Sequence, residues 1–241
     1  MNSTQTLEQL YQLRLQGMAG SYKSQLELPV HQQLEAHELI AAMTQAETLT
    51  RSNERTAYYL KLAKLRLSAL PEQVECSTVR NLTKQQWGKL LEGSYIRQAE
   101  PVLITGPTGC GKSYLACALA YQACLLGYRT LYFNVNRFIE KVTLAKLDGT
   151  YLKQLNHWER TPLIILDDFG LQPLDQQIRL AILQLVEDRY ARKSIIITSQ
   201  LPVSKWHEFI NEPTLADAIL DRLTAKAHRI ELKGESMRKK K

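Results

Sequence analysis

The densest chemistry in the chain lies at Gly106-Pro107-Thr108-Gly109-Cys110-Gly111-Lys112-Ser113, which matches G-x-x-x-x-G-K-[ST] in full. It follows the apolar run Val102–Thr105 and precedes a helical stretch from Tyr114 to Leu126. Glycines there let backbone N–H groups wrap phosphate oxygens, and the start of a helix adds a positive dipole. A lysine in this place reaches β- and γ-phosphates, and the next hydroxyl ligates Mg²⁺, which assigns these tasks to Lys112 and Ser113. Leu163-Ile164-Ile165-Leu166-Asp167-Asp168 is the companion signal, a buried-strand pattern ending in two carboxylates. Asp167 is suited to hold Mg²⁺ through water, and Asp168 to orient and deprotonate an attacking water.

These groups need a scaffold that delivers them to one edge. From Pro101 onward, PVLIT, TLYFNV, LIILDD, SIIITS and HRIEL are short β-branched runs separated by helical stretches. Strands apolar throughout that alternate with helices predict a parallel sheet covered on both faces. The run SIIITS ends in Thr198-Ser199-Gln200, which such a sheet places beside the carboxylates. Either Thr198 or Gln200 could position the water, and Ser199 is equally suited to capping. No N-K-x-D segment that would read guanine occurs, which favours ATP.

The 241 residues carry a net charge of +7, with 44% hydrophobic and 23% charged residues, a globular composition that excludes a disordered or collagenous chain. Residues 1–80 hold eight basic and eight acidic side chains, so the whole excess lies beyond them, where a polyanion-binding surface is expected. No apolar run approaches membrane-spanning length and no secretion signal precedes the first helix, which predicts a cytoplasmic protein. Cys76, Cys110, Cys117 and Cys124 lack metal-site spacing and read as small buried residues in a reduced compartment.

The first part is helical in pattern: Leu7 to Met18, Leu34 to Leu49, and a run with a basic face from Glu54 to Leu70. Pro71 ends that region, and a linker is expected near residues 71–80. Thr83 caps a further helix that ends near Gly93. The predicted organisation is a helical domain over residues 1–75 and an α/β domain over residues 76–241.

With these motifs in hand, the chain resembles the AAA+ ATPases of the initiator and helicase-loader clade, and more closely the IstB-like transposition helper ATPases. The specific part of the likeness is LRLQGMAGSY, LITGPTGCGKSYLACAL, ILDDFGLQPL, TSQLPVSKWHEFI, PTLADAILDRL and HRIELKGESMR. It implies a three-layer αβα P-loop domain with a five-stranded parallel sheet after a small all-helical domain used for self-association and transposase contact. It also implies nucleotide contacts along Gly106 to Tyr114, with Tyr114 included. Arg222, in Asp221-Arg222-Leu223, would be an arginine finger reaching a neighbouring subunit, and Arg238 would stand in the sensor 2 segment. Asp168 replaces a glutamate and Gln200 an asparagine found in many members.

In that clade, DNA is contacted by the helices after the second strand, here residues 136–160, with Arg137, Lys141, Lys146 and Lys153 as candidates. The absence of a base-reading motif predicts backbone-dominated, weakly sequence-specific binding, and the resemblance implies that the DNA is duplex. The implied function is ATP-dependent assembly on target DNA that promotes insertion by a partner transposase. A DnaC-like helicase loader and an ATP-gated scaffold with little turnover stand as the other readings.

Overall fold

The computed structural model describes residues 2–237, and these divide into two compact units, one up to Tyr58 and one from Tyr59 onward. The division falls earlier than the boundary at residue 75 suggested by the pattern of prolines.

The first unit contains α1 (Ser3–Gln12), α2 (Gln16–Leu26) and most of α3 (Ala36–Ala63). The apolar stretch from Leu7 to Met18 is not one helix: Arg14 takes a left-handed φ of 59° and separates α1 from α2, leaving Leu13 exposed. The LRLQGMAGSY segment has a packing reason for its glycine. A Cβ on Gly17 would lie 2.5 Å from the Ala46 carbonyl oxygen, so only glycine lets α2 approach α3 this closely. Where α2 lacks a side-chain cap of its own, the buried Glu47 supplies one from α3, accepting N–H bonds from Gly17 at 2.8 Å and Met18 at 3.2 Å. Arg51, one turn further along α3, donates to the same carboxylate at 2.6 Å. These bonds, the Arg51 one foremost, hold the Glu47 pKa below its ordinary value.

The two helical runs predicted over residues 34–49 and 54–70 form one helix, α3, which stops at Ala63. Lys64 adopts a φ of 50°, and the chain continues to Leu70 without regular structure. The expected linker is likewise packed: Pro71 is buried, its carbonyl accepts the Trp87 indole N–H at 3.2 Å, and Ser77 bridges to Leu82. Thr83 caps α4 (Lys84–Leu91) through the Gln86 N–H, as its sequence predicts, and α5 (Ser94–Arg97) starts after Gly93.

Then come β1 (Val102–Thr105), α6 (Lys112–Leu125), β2 (Thr130–Asn134), α7 (Val135–Leu147), α8 (Tyr151–Glu159) and β3 (Leu163–Phe169). The chain continues through α9 (Gln176–Arg189), β4 (Ser194–Ser199), α10 (Trp206–Ile210), α11 (Pro213–Thr224) and β5 (His228–Glu231). All five predicted strands form one parallel sheet in the order β2-β3-β4-β1-β5. Alternation decides the layers. Val102, Ile104, Leu163, Ile165 and Ile196 face a core built with α6, whereas Leu103, Ile164, Leu166, Ile195 and Ile197 face a core built with α7 to α11. The result is the three-layer αβα arrangement expected.

Cys117 and Cys124 are buried on α6, where burial raises each thiol to about 11, and all four cysteines are free. At the N-terminal edge of the sheet, the buried Arg189 donates to the carbonyls of Trp158 (2.8 Å), Thr161 (3.0 Å), Pro162 (3.1 Å) and Ser194. Burial lowers its pKa to about 9, so it stays charged at neutral pH and ties the starts of β3 and β4 to the end of α9.

Candidate nucleotide-binding site

The loop between β1 and α6 crosses the C-terminal edge of the sheet, the edge at which parallel α/β folds bind ligands. Gly111 takes φ +94° at the N-cap of α6, a conformation that suits glycine. Gly106 and Gly109 also have positive φ, and neither position has room for a side chain. A Cβ on Gly106 would lie 2.5 Å from the Leu232 carbonyl oxygen, and one on Gly109 would lie 2.2 Å from Ser236 Oγ. The segment after β5 therefore runs along the loop, and the Met237 N–H donates to the Gly109 carbonyl at 3.0 Å. Arg238, proposed from sequence to contact phosphate, lies outside the described residues.

Lys112 is buried and its ammonium is folded onto the loop, donating to the carbonyls of Gly106 (2.8 Å) and Pro107 (2.9 Å). Thr108 Oγ1 donates to Gln200 Oε1 at 2.8 Å, which brings the end of β4 against the loop. Cys110 is buried, and its carbonyl accepts from Arg80 at 3.0 Å; Arg80 also donates to the Glu75 carbonyl. Tyr114 turns towards the segment before α4, its hydroxyl 2.9 Å from Gln73 Oε1.

The carboxylates form the centre. Asp167 is fully buried and accepts three hydroxyl bonds: from Ser113 (2.9 Å) and Thr198 (2.5 Å) on Oδ1, and from Tyr132 (2.5 Å) on Oδ2. Burial raises the Tyr132 pKa, and its bond to Asp167 raises it further, so the phenol stays protonated as a donor. Asp168 behaves differently. The pairing of β3 with β4 slips between Leu166 and Phe169, and Asp168 takes φ +66°, held there by its N–H bond to Thr198 Oγ1 at 3.0 Å. Its carboxylate accepts from Asn134 Nδ2 (2.9 Å) and Arg66 (3.0 Å). Ser113 Oγ beside a buried carboxylate is an all-oxygen pair, the donor chemistry Mg²⁺ takes when substrate phosphates and waters complete the shell. Ser113 and Asp167 are thus the residues that would hold such an ion.

The structure thus gathers Lys112, Ser113, Asp167, Asp168, Thr198 and Gln200. Thr198 is fully buried behind the two aspartates, whereas Gln200 is exposed beside Thr108. Ser199 is structural, donating to the Phe169 carbonyl at 2.5 Å and accepting from the Leu201 N–H. Tyr132, Asn134, Arg80 and Arg66 were not singled out from sequence. For Tyr132 and Asn134 a signal existed, since alternate residues of a strand ending beside Asp167 share a face, and Asn134 pairs with Asp167 in register. Arg66 had no local signal, standing about a hundred residues before Asp168 in the chain.

Arg222 lies elsewhere. It sits on the last turn of α11, its guanidinium 3.0 Å from Glu187 and bonded to the Ala218 carbonyl. It lines a cavity with Gln98, Pro101 and Arg189, at the edge where β1 and β4 begin and so opposite the P-loop.

The proposed DNA contacts on α7 and α8 do not form one cluster. Arg137 pairs with Glu140 at 2.8 Å, and Lys146 lies over the Tyr151 ring and against the Gln177 carbonyl. Lys153 lines a groove of about 490 Å³ with Arg129, Asn156, His157 and Arg160. Lys141 stands near enough to contribute, after burial and Arg129, to the lowered pKa of His157. Burial and the neighbouring Lys64 lower the pKa of Lys141 itself. A basic edge therefore runs beside β2, one of the two edge strands of the sheet.

Comparison with known proteins agrees with this architecture. The family described as IstB-like ATP binding protein matches residues 8–241. An insertion sequence ATP-binding protein of Sinorhizobium fredii is 43% identical over 97% of this chain and 96% of its own length. An IS1162 ATP-binding protein of Pseudomonas fluorescens is 38% identical over 85% of this chain and 89% of its own. Among solved structures, the DnaC helicase loader superposes with a TM-score of 0.59 at 18% identity, over 71% of this chain and all of that one. AMPPCP-bound DnaA from Aquifex aeolicus superposes with a TM-score of 0.60 at 19% identity, over 71% of this chain and 52% of that one. At those identities the structural likeness speaks to the fold, while the sequence likeness and the P-loop geometry speak to the ligand: this chain belongs to the IstB-like ATP-binding proteins.

Proposed function

We propose that this protein hydrolyses ATP to ADP and phosphate as a subunit of an assembly on duplex target DNA, and that the assembly promotes insertion by a partner transposase. The observation that carries the catalytic part is the carboxylate pair: Asp167 buried under three hydroxyl donors, and Asp168 turned out of the strand by a left-handed backbone. Lys112 would exchange its loop carbonyls for phosphate oxygens, and Ser113 with Asp167 would hold Mg²⁺, which would supply charge neutralisation along the phosphates. Asp168 would accept the proton of the water that attacks the γ-phosphorus as the bond to the bridging oxygen breaks, with Gln200, at the end of β4, orienting that water. Thr198 acts through Asp167 and Asp168 rather than on substrate. Arg222 stands far from the P-loop of its own chain, which supports a role completed on a neighbouring subunit and hence an oligomer.

Support for the DNA part comes from the basic edge at Lys141, Lys153, Arg129 and Arg160, and for the transposition part from the insertion sequence relatives. The helical first unit is the element proposed to contact the transposase. The deciding measurement is steady-state ATP hydrolysis without DNA, with duplex and with single strands at matched salt. Stimulation by duplex is expected. Stimulation confined to single strands would replace this reading with a helicase loader, and absence of turnover would leave an ATP-gated scaffold.

A further inference from the structure

Arg66 belongs to no motif, yet one of its terminal nitrogens, Nη1, lies 3.0 Å from Asp168 Oδ2 and 3.6 Å from Asp167 Oδ2. Asp167 and Asp168 are adjacent in sequence and face one site, so two negative charges are held together where solvent is largely excluded. Lys112, the cation of the phosphate loop, donates to two loop carbonyls instead. Among the described residues, Arg66 is the side chain whose positive charge pairs with these carboxylates. The three hydroxyls around Asp167 satisfy its oxygens as hydrogen-bond acceptors but bring no charge.

We propose that Arg66 is the counter-ion of the aspartate pair and competes with Mg²⁺ for it, so that loading the site would exchange one cation for another. Mg²⁺ would bring its own positive charge to these carboxylates, and a guanidinium between Asp167 Oδ2 and Asp168 Oδ2 already neutralises them, so the two cations would compete for one pair of acids. Two cations at one carboxylate pair also repel. The exchange is sterically simple, because the Arg66 side chain is 48% exposed while the Asp167 side chain is not exposed at all, so the arginine swings into water and the carboxylates stay in place. The backbone at Arg66 and Leu67 is anchored, since both N–H groups face the Cys117 sulfur on α6, so the movement is confined to the side chain. Arg66 then sets the Mg²⁺ concentration at which the site loads, a positioning and regulatory task distinct from bond breaking.

This inference rests on the reading of the site as one for Mg·ATP. It is tested by equilibrium binding of a fluorescent, non-hydrolysable ATP analogue to the full chain while Mg²⁺ is titrated. Arg66→Met, which keeps the aliphatic stem, is expected to lower the Mg²⁺ midpoint by about three- to tenfold, as fits loss of a partly exposed ion pair. Arg66→Lys is expected to stay nearer the wild-type midpoint. Thermal melts supply a second readout: Arg66→Met melts lower than wild type without nucleotide and gains more from Mg²⁺ and the analogue. An unchanged midpoint in Arg66→Met would overturn the exchange, and a raised midpoint would replace it with a role for Arg66 in the loaded site. Failure of the wild-type protein to bind the analogue at any Mg²⁺ concentration would overturn the nucleotide site and the exchange together.

Discussion

The Thr198 hydroxyl donates to Asp167 Oδ1 at 2.5 Å and so fastens the end of β4 to the end of β3 at the point where the two strands lose register. The same oxygen accepts the Asp168 N–H, so one buried hydroxyl bonds to the Asp167 carboxylate and to the Asp168 backbone. Thr198→Val keeps the shape and removes the bonds. We expect kcat for ATP hydrolysis to fall by about 10- to 100-fold with nucleotide affinity little changed, the size seen when groups behind a metal ligand are removed. Thr198→Ser is expected to retain most activity, and equal loss in both variants would separate Thr198 from the site.

Asp168→Asn is expected to lower kcat by roughly 10²- to 10⁴-fold, the contribution of a positioned base, while the analogue still binds. Lys112→Ala is expected to act on binding instead, because its ammonium is the buried cation of the loop. Titration of the fluorescent analogue distinguishes the two: weak binding by Asp168→Asn would argue that Asp168 holds the nucleotide rather than the water.

Arg222 is bound to Glu187 at the sheet edge remote from the P-loop. Arg222→Ala is therefore expected to bind nucleotide normally and to lose about 10³-fold in turnover, as a trans-acting arginine would. Mixing Arg222→Ala with Lys112→Ala should restore hydrolysis, since one variant supplies the finger and the other the intact site. A mixture as inactive as its components would place Arg222 in its own subunit's structure, not in a neighbour's chemistry.

The helical unit gives a stability prediction with a defined pH sign. Gly17→Ala puts a methyl group 2.5 Å from the Ala46 carbonyl and is expected to destabilise this unit by roughly 1–3 kcal/mol. Glu47 has a folded pKa below 4.5, so its contribution is present above the unfolded value and is lost as pH falls through the depressed folded one. The difference in melting temperature between wild type and Glu47→Gln should thus be full near neutral pH and shrink below about pH 4.5. A difference that is constant with pH would show that the Glu47 charge contributes nothing.

On DNA, Lys153→Ala and Arg160→Ala are each expected to reduce the slope of log K against log salt by about one, without changing sequence preference. Arg137→Ala, already paired with Glu140, is expected to change it less. Equal slopes in all variants would move the DNA surface away from the β2 edge.

By itself, the sequence determined what is local. Residues 106–113 spell the loop, five β-branched runs spell the strands, and LIILDD places two acids at a strand end, because period and turn chemistry act over a few residues. It also carried the family, whose likeness extends over nearly the whole chain. Only the tertiary structure decided what depends on distant residues meeting. It buried Thr198 behind the aspartates and left Gln200 exposed beside the loop. It ended α3 at Ala63, seven residues short of the amphipathic pattern, because Lys64 turns left-handed and sends the chain to pack along α6. That turn is what delivers Arg66 to Asp168, a meeting no periodicity encodes. The physical reason is the same in each case: hydrogen-bond partners and counter-ions are selected by burial and proximity in space, which the folded sheet creates and the linear order does not contain.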